Sequence, residues 1–451
     1  MTADDLKILK DNFRSGMTFS PKQRIGFLKK IRSFIADNRL EAAEALRTDL
    51  GKCETEAMMS EIMPVLQLLD MLIKKTVKWS KPVKKSIAAV NFPSRGKLIP
   101  EPYGTVLVVS AWNYPLMLAV EPFAGAVAAG NCVVLSPAPS AAATADFLKR
   151  MVKECTPGIT CCANSSPEEL AKMDFDYIFF TGGNQTGRKV AAAAGANLTP
   201  STLELGGKSP CFVTKNCNLK LTAKKIVWGK FLNAGQTCVA PDYILVEEDF
   251  AEKLIAALAE TIKEFYGSNP AESPDYSRIV NDFHFRRLEN LLQYGTVAAG
   301  GVCRAEDKYI APTIITAPEH ESPLMQYEIF GPLLPVITVK DLQEAVDFVN
   351  VRPKPLALYI FTAAKKEQDF IISNTSSGSV AVNDTVMQIM NPELPFGGVG
   401  ASGYGAYHGK LTFDTFTHFK PVMTASSHID FPVRYPPFRE WQKKLVRLLT
   451  K

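Results

Sequence analysis

Apolar residues in the first eighty positions recur at helical spacing. Ile25, Leu28, Ile31 and Ile35 mark one face, and Met58, Ile62, Leu66, Leu69 and Leu72 mark another further on. Side chains three and four apart share one side of a helix, so both stretches predict helices with a core-facing stripe. Ser20-Pro-Lys-Gln23 has the form of a capping box with proline at the first helical position. Gly51 is placed to stop that helix, and a second begins near Glu54. The pattern then changes. Pro82, Pro93 and Pro100 punctuate short alternating pieces such as Ser86-Ile-Ala-Ala-Val90. These predict a strand pair reaching away from the domain, a candidate oligomer element.

Beyond Pro100, short apolar runs alternate with helical stretches. The runs fall at 105–110, 132–135, 177–180 and 201–205, with helices up to Ala129, over 141–153 and from about Gly187. Runs apolar at nearly every position suit parallel strands buried on both faces. After Gly206-Gly207 a second alternation begins, with strands at 211–213, 243–246, 311–315, 334–339, 356–361 and 378–382. Its helices fall at 249–266, 278–294, 341–349 and 365–374. The expected fold class is α/β: two doubly wound α/β domains plus a small β bridging element. Ligands of such sheets collect at the carboxyl ends of the strands. At the tail, Phe438, Trp441, Leu445, Leu448 and Leu449 share one helix face with basic residues opposite. Packing on its own chain is the expected role of that helix, and a membrane surface is the alternative.

Composition narrows the class. The 451 residues are 46% hydrophobic and 22% charged, as in ordinary soluble chains. The net charge of +5 is spread along the chain and no nucleic-acid-binding signature is present, so no nucleic-acid partner is expected. Nine irregularly spaced cysteines, without a CxxC motif, suggest reduced thiols in a cytoplasmic protein. Five histidines, none as HxxxH, argue against a zinc site, and no metal is expected. The stretch 103–130 reads as strand, turn and buried helix rather than as a membrane span.

Candidate chemistry centres on Cys238, in Asn233-Ala-Gly-Gln-Thr-Cys-Val-Ala-Pro241. A cysteine between elements, beside small and polar residues, is reachable by a substrate, whereas core thiols lie inside apolar runs. Being one inert cysteine of nine is the alternative, because thiol reactivity depends on local electrostatics. Asn113 follows the first strand of the sheet, where an amide can donate to an oxyanion together with the Cys238 backbone N–H; making a turn before Pro115 is its bland alternative. Glu204, between Leu203 and Leu205, is placed to activate a water, and partial burial would raise its pKa. Thr181-Gly-Gly-Asn-Gln-Thr-Gly187 joins a strand to a helix, and its glycines let backbone N–H groups face a phosphate, although the spacing is not GxGxxG. Pro395-Phe-Gly-Gly-Val-Gly-Ala-Ser-Gly403 is a tight glycine-rich turn.

Ala-Trp-Asn-Tyr-Pro115, Leu-Glu-Leu-Gly-Gly-Lys-Ser-Pro210, Gly-Gln-Thr-Cys-Val-Ala-Pro-Asp-Tyr243, Glu-Ile-Phe-Gly-Pro332 and Leu-Pro-Phe-Gly-Gly-Val-Gly400 occur together and in this order. With the tail motif Arg434-Tyr-Pro-Pro437, the chain resembles the aldehyde dehydrogenase superfamily over essentially its whole length, and most closely the class 3 (fatty and aromatic aldehyde) branch. The resemblance implies a Rossmann-like cofactor domain over 1–80 and 101–206, a catalytic domain over 207–410, a bridging element over 81–100 and 411–430, and a tail over 431–451. It implies NAD- or NADP-dependent oxidation of medium or long aliphatic, or aromatic, aldehydes to carboxylic acids. Cys238 would be the nucleophile carrying a thiohemiacetal and then a thioester, Asn113 the oxyanion donor and Glu204 the base, with Glu328 possible in a shared base role. Cofactor contacts would come from Trp112, Ser136, Thr181, Gly182, Gly183, Gly187, Leu205, Gly206, Glu328 and Phe330. A homodimer is implied as well.

Two places depart from the family pattern. Where the family usually has Lys-Pro-Ser-Glu, this chain has Ser136-Pro-Ala-Pro139, and the usual Thr-Gly-Ser is Thr181-Gly182-Gly183. The lost glutamate would repel a 2′-phosphate and the lost lysine would attract one, so NAD and NADP both stay open. Two other readings stand beside the leading one. One is a CoA-acylating aldehyde dehydrogenase, against which Glu204 argues. The other is a non-catalytic binding or structural protein on the same fold, which only the altered adenosine end supports.

Overall fold

The computed structural model describes residues 1–88 and 91–450. Two mostly parallel sheets carry the core. The first has the strand order Gly403–Tyr404, Ser201–Glu204, Tyr177–Thr181, Thr105–Val109, Cys132–Ser136, Thr160–Cys162. All neighbours in it are parallel except the Gly403–Tyr404 edge, which runs antiparallel to Ser201–Glu204. Thr105–Val109 and Cys132–Ser136 are buried at every residue, as continuous apolar runs require. The second sheet has the order Thr296–Ala299, Thr313–Thr316, Leu333–Val339, Tyr243–Glu247, Pro210–Val213, Ala357–Phe361, Ser379–Val382. Only its Thr296–Ala299 edge is antiparallel. Three of the four residues of this edge strand are exposed and it is too short for an apolar period, so the sequence pattern does not reveal it.

The N-terminal helical region contains a break and a widened turn that the periodicity does not show. Pro21–Asp37 and Arg39–Leu50 are separate helices divided at Asn38, and Gly51 closes the second in a left-handed conformation (φ 68°). The expected capping box at Ser20 is absent: its side chain caps nothing, and Pro21 alone starts the helix through its fixed φ. Between Glu54–Ala57 and Met63–Trp79 the chain makes a π-helical turn, Met58–Ile62. Such widened turns recur at functional sites.

The expected arm differs in register. Its strands are Val83–Lys85 and Arg95–Pro102, and Thr417–Thr424 pairs along the whole of the latter to give a three-stranded antiparallel sheet. Of the Ser86–Val90 alternation, residues 86–88 form no strand, and Ala89 and Val90 lie outside the described residues, as does Lys451. The tail helix is Glu440–Leu449. Most of its apolar face is not packed on its own chain: Phe438, Trp441, Leu448 and Leu449 are exposed, Leu445 is half-buried, and Gln442 is the buried residue of the helix. Among the described residues no helix is long and apolar enough to cross a membrane.

Candidate active site

The helix Leu219–Phe231 ends in a turn whose three residues Asn233, Ala234 and Gly235 all have positive φ (52°, 50° and 75°). Left-handed non-glycine residues cost on the order of 1–3 kcal/mol each and persist only where surroundings enforce them. The enforcement is visible. The Asn233 N–H donates to Glu56 Oε1 at 2.9 Å, and its side-chain amide donates to the Asn113 carbonyl at 2.7 Å. Gln236 donates to the Asn233 and Arg278 carbonyls and accepts from the Val280 N–H. Gly235 is required, because a Cβ there would lie 2.3 Å from the Gly331 carbonyl oxygen. This turn delivers Cys238.

Asn113 follows the strand Thr105–Val109, as its position in the sequence predicts. It is 2% exposed, and its amide donates to the Gln236 carbonyl at 3.0 Å, two residues ahead of Cys238. The Tyr114 hydroxyl pairs with Thr237 Oγ1 at 2.7 Å, a second tie between the two domains' loops. Behind this loop sits a fully buried ion pair. Lys52 Nζ lies 2.5 Å from Glu61 Oε1 and donates to the Asn113 carbonyl at 3.0 Å. Glu61 Oε2 accepts the Leu116 and Met117 N–H groups, and the Lys52 ammonium sits 4.0 Å from the Tyr114 ring centroid. Each charge thereby has partners, the condition under which burial is tolerable.

Two further carboxylates face the thiol. Burial pushes the Cys238 thiol well above its usual range, and the charges of Glu328 and Glu204 push it further. Glu204 ends the strand Ser201–Glu204, is 3% exposed, and neither carboxylate oxygen has a hydrogen-bond partner. Burial raises its pKa well above the carboxylate range. Glu328 is raised to about 8 by burial and then by Asp242, while the Gly207 N–H and the cations Lys208 and Arg287 pull it down. Gly206 is what lets Glu328 sit there, since a Cβ would meet its carboxylate oxygen at 1.9 Å. Phe330, itself at φ 50°, meets the Trp112 ring edge-on at 5.2 Å.

Cys238 lines a cavity of about 670 Å³ whose wall is largely apolar. Met59, Met63, Met117, Met387 and Met390 contribute, with Trp228, Phe265 and Phe396. Asn113, Glu204 and Glu328 do not line it.

The residues expected to bind a nicotinamide dinucleotide gather at the carboxyl edge of the first sheet. Ser136 ends Cys132–Ser136, Thr181 ends Tyr177–Thr181, and Glu204 ends Ser201–Glu204. Thr181 Oγ1 and Glu328 Oε1 are buried without partners, free for hydroxyl groups of a ligand. Gly183 precedes the helix Asn184–Ala196, and a Cβ on Gly187 would strike Leu205 at 2.5 Å, so the helix start packs tightly under this edge. These groups fit the nicotinamide and phosphate end of such a cofactor. At the adenosine end the loop after Ser136 offers no charged side chain.

Several residues of this site were not singled out by sequence reasoning. Lys52, Glu56 and Glu61 interrupt an amphipathic pattern that accounts for their neighbours, and only charges on the inward face of that pattern hint at them. Lys208 pairs with Asp242 at 2.5 Å, and Asp242 accepts the Ile329 N–H, fixing the loop that carries Glu328.

Comparison with known proteins places this geometry. The sequence profile of the Aldehyde dehydrogenase family matches residues 6–422. The chain is 43% identical to "Aldehyde dehydrogenase, dimeric NADP-preferring" of Rattus norvegicus over 446 residues, covering 96% of this chain and 97% of the relative. It is 43% identical to "4,4'-diaponeurosporen-aldehyde dehydrogenase" of Staphylococcus aureus, covering 91% of each. The solved structure "Substrate bound state of Staphylococcus Aureus AldH" superposes with a TM-score of 0.97 at 40% identity over 100% of both chains.

Proposed function

Because the chain belongs to the aldehyde dehydrogenase family, and is therefore an NAD(P)-dependent enzyme that oxidises aldehydes to carboxylic acids, we propose how its own residues divide that reaction. Cys238 Sγ gives its proton to Glu328, the first of the two carboxylates that act on the thiol, and the thiolate bonds to the aldehyde carbon. The negative charge moves to the carbonyl oxygen, where the Asn113 amide and the Cys238 backbone N–H donate to it. Bound NAD or NADP supplies the acceptor for the aldehydic hydride. Glu328, Phe330, Gly206 and Trp112 would hold its nicotinamide end. Thr181, Gly182, Gly183 and Gly187 would hold its phosphates, and Leu205 and Ser136 would pack its remainder. The acyl group then stays on Cys238 as a thioester. Glu204 takes a proton from water, the hydroxyl adds to the acyl carbon, and the C–S bond breaks to release the acid and regenerate the thiolate. Glu328 keeps a secondary proton-handling role.

The observation that carries this reading is the enforced left-handed turn, which holds Cys238 at the cavity wall with the Asn113 amide tied to the same turn. A Glu204→Gln enzyme should stop after one hydride transfer, with the acyl group still on Cys238. Intact-mass analysis after mixing with hexanal and cofactor should show one acyl adduct on Cys238; steady turnover by that variant would sink the assignment of Glu204.

The apolar wall supports medium or long aliphatic, or aromatic, aldehydes as substrates. Each buried methylene adds roughly 0.8 kcal/mol, so kcat/KM should climb with chain length until the cavity is full. A CoA-acylating reaction is disfavoured by the unpartnered carboxylate of Glu204, and free acid formed without CoA would exclude it. We also propose a homodimer joined through the three-stranded sheet and the exposed tail helix, checked by light scattering on the full chain and on a chain ending at residue 430. Nine free cysteines support a cytoplasmic location, which fractionation of expressing cells would test.

A further inference from the structure

Glu56 is a carboxylate on the substrate cavity wall that also holds the nucleophile turn. It sits on Glu54–Ala57, two residues before the π-helical turn begins, and lines the same cavity as Cys238. Its Oε1 accepts the Asn233 N–H at 2.9 Å, and Ser277 Oγ donates weakly to both oxygens at 3.4–3.5 Å. Asn233 opens the three-residue left-handed turn, and its side chain holds both the Asn113 and Gln236 carbonyls. One carboxylate therefore anchors the backbone that sets the Cys238 thiol against the oxyanion donor. Neither the catalytic cysteine nor the base assignment uses it.

We propose that Glu56 is a positioning residue for Cys238, whose ionised carboxylate keeps the Asn233–Gly235 turn in its left-handed form and whose protonation slackens it. A hydrogen bond from an N–H to a carboxylate is about twice as strong as one to a neutral oxygen. The charge on Glu56 is thus part of what holds the strained backbone. Burial raises the Glu56 pKa to about 6, partly offset by Lys52, the Asn233 N–H and Ser277 and increased again by Glu61. Cys53, Tyr114, Tyr266 and Tyr276 also face it, and all four titrate above the neutral range in this setting. The transition near pH 6 therefore belongs to Glu56 among these neighbours. The Asn233 N–H pulls the Glu56 pKa down, so this one hydrogen bond is strongest with Glu56 ionised and weakens as pH falls through about 6; the burial that raises the pKa belongs to the site and not to that bond.

The inference rests on Cys238 being the nucleophile, and the test separates the two. Cys238 alkylation by iodoacetamide is followed by peptide mass spectrometry without cofactor or substrate, alongside kcat and KM from pH 5 to 8. Folding of each variant is checked by thermal melting. Glu56→Gln keeps a neutral acceptor for Asn233. It should lower kcat about tenfold at pH 7.5 with KM little changed, and, once the loss of thiolate common to both enzymes is divided out, it should abolish the further wild-type fall in kcat and alkylation rate centred near pH 6. Glu56→Ala, with no acceptor, should fall further. Glu56→Gln retaining that further fall, or wild-type alkylation by folded Glu56→Ala, would overturn the proposal. Undiminished turnover by Cys238→Ala would instead defeat the nucleophile assignment and leave the Glu56–Asn233 tether without this role.

Discussion

The buried Lys52–Glu61 pair makes a quantitative case. Substituting Lys52→Met removes the ammonium that lies 2.5 Å from Glu61 and leaves that carboxylate with neither solvent nor a countercharge, since both side chains are 0% exposed. Removing one member of such a pair costs about 3–5 kcal/mol. Glu61 keeps two backbone donors, Leu116 and Met117, so the lower half of that range is expected, about 3–4 kcal/mol. Adding Glu61→Gln removes the stranded charge while leaving an amide oxygen for those N–H groups, and should recover about 1–2 kcal/mol. A chain of two large domains does not unfold in one step, so hydrogen exchange of the Leu116 and Met117 amides is the better reporter, with urea midpoints beside it. Protection at these two amides should drop by two orders of magnitude or more in Lys52→Met, as about 3 kcal/mol implies, and partly return in the double variant. Unchanged protection in Lys52→Met, or a double variant no better than the single, would refute the view that this pair fixes the Asn113 loop.

Asn113→Ala should lower kcat by about 10²–10³ with little change in KM, because an oxyanion donor acts in the transition state; stopped-flow measurement of the hydride step checks it. Gly183→Ser puts a hydroxyl where a Cβ meets no atom within 4 Å, and should tighten cofactor binding about tenfold in a fluorescence titration; unchanged affinity would mean the missing hydroxyl is not what weakens the phosphate end. Glu328 has a folded pKa raised to about 8 from an ordinary 4.5, so the folded state binds more protons than the unfolded one between those values. Stability from this group is full below about pH 4.5 and declines as pH rises toward 8. Glu328→Gln should therefore gain thermal stability over wild type at pH 8.5 and not at pH 4.5, read by calorimetry.

Periodicity and motif position carried most of the architecture, for a physical reason. Runs such as 106–109 are apolar on every residue because both faces of the strand are covered. Strands such as Thr296–Ala299 and Cys303–Arg304 are short edges held by tertiary pairing, and no local period marks them. At the site, Cys238, Asn113 and Glu204 were singled out because each follows a strand end or lies between elements, and the structure ties Asn113 to the turn that carries Cys238. Its supporting charges were not, since Glu56 and Lys52 do their work through backbone groups far away in sequence. The tail helix shows the opposite limit: its amphipathic pattern is real, but the pattern does not say what covers the apolar face, and a single chain leaves that face exposed.

Initial rates with hexanal and with benzaldehyde, each with NAD and with NADP, for the wild-type chain and Cys238→Ala, test the central claim most directly. Saturable cofactor reduction by the wild type with at least one nucleotide, and none above background by a folded Cys238→Ala, is the predicted result. Undiminished reduction by Cys238→Ala would contradict it.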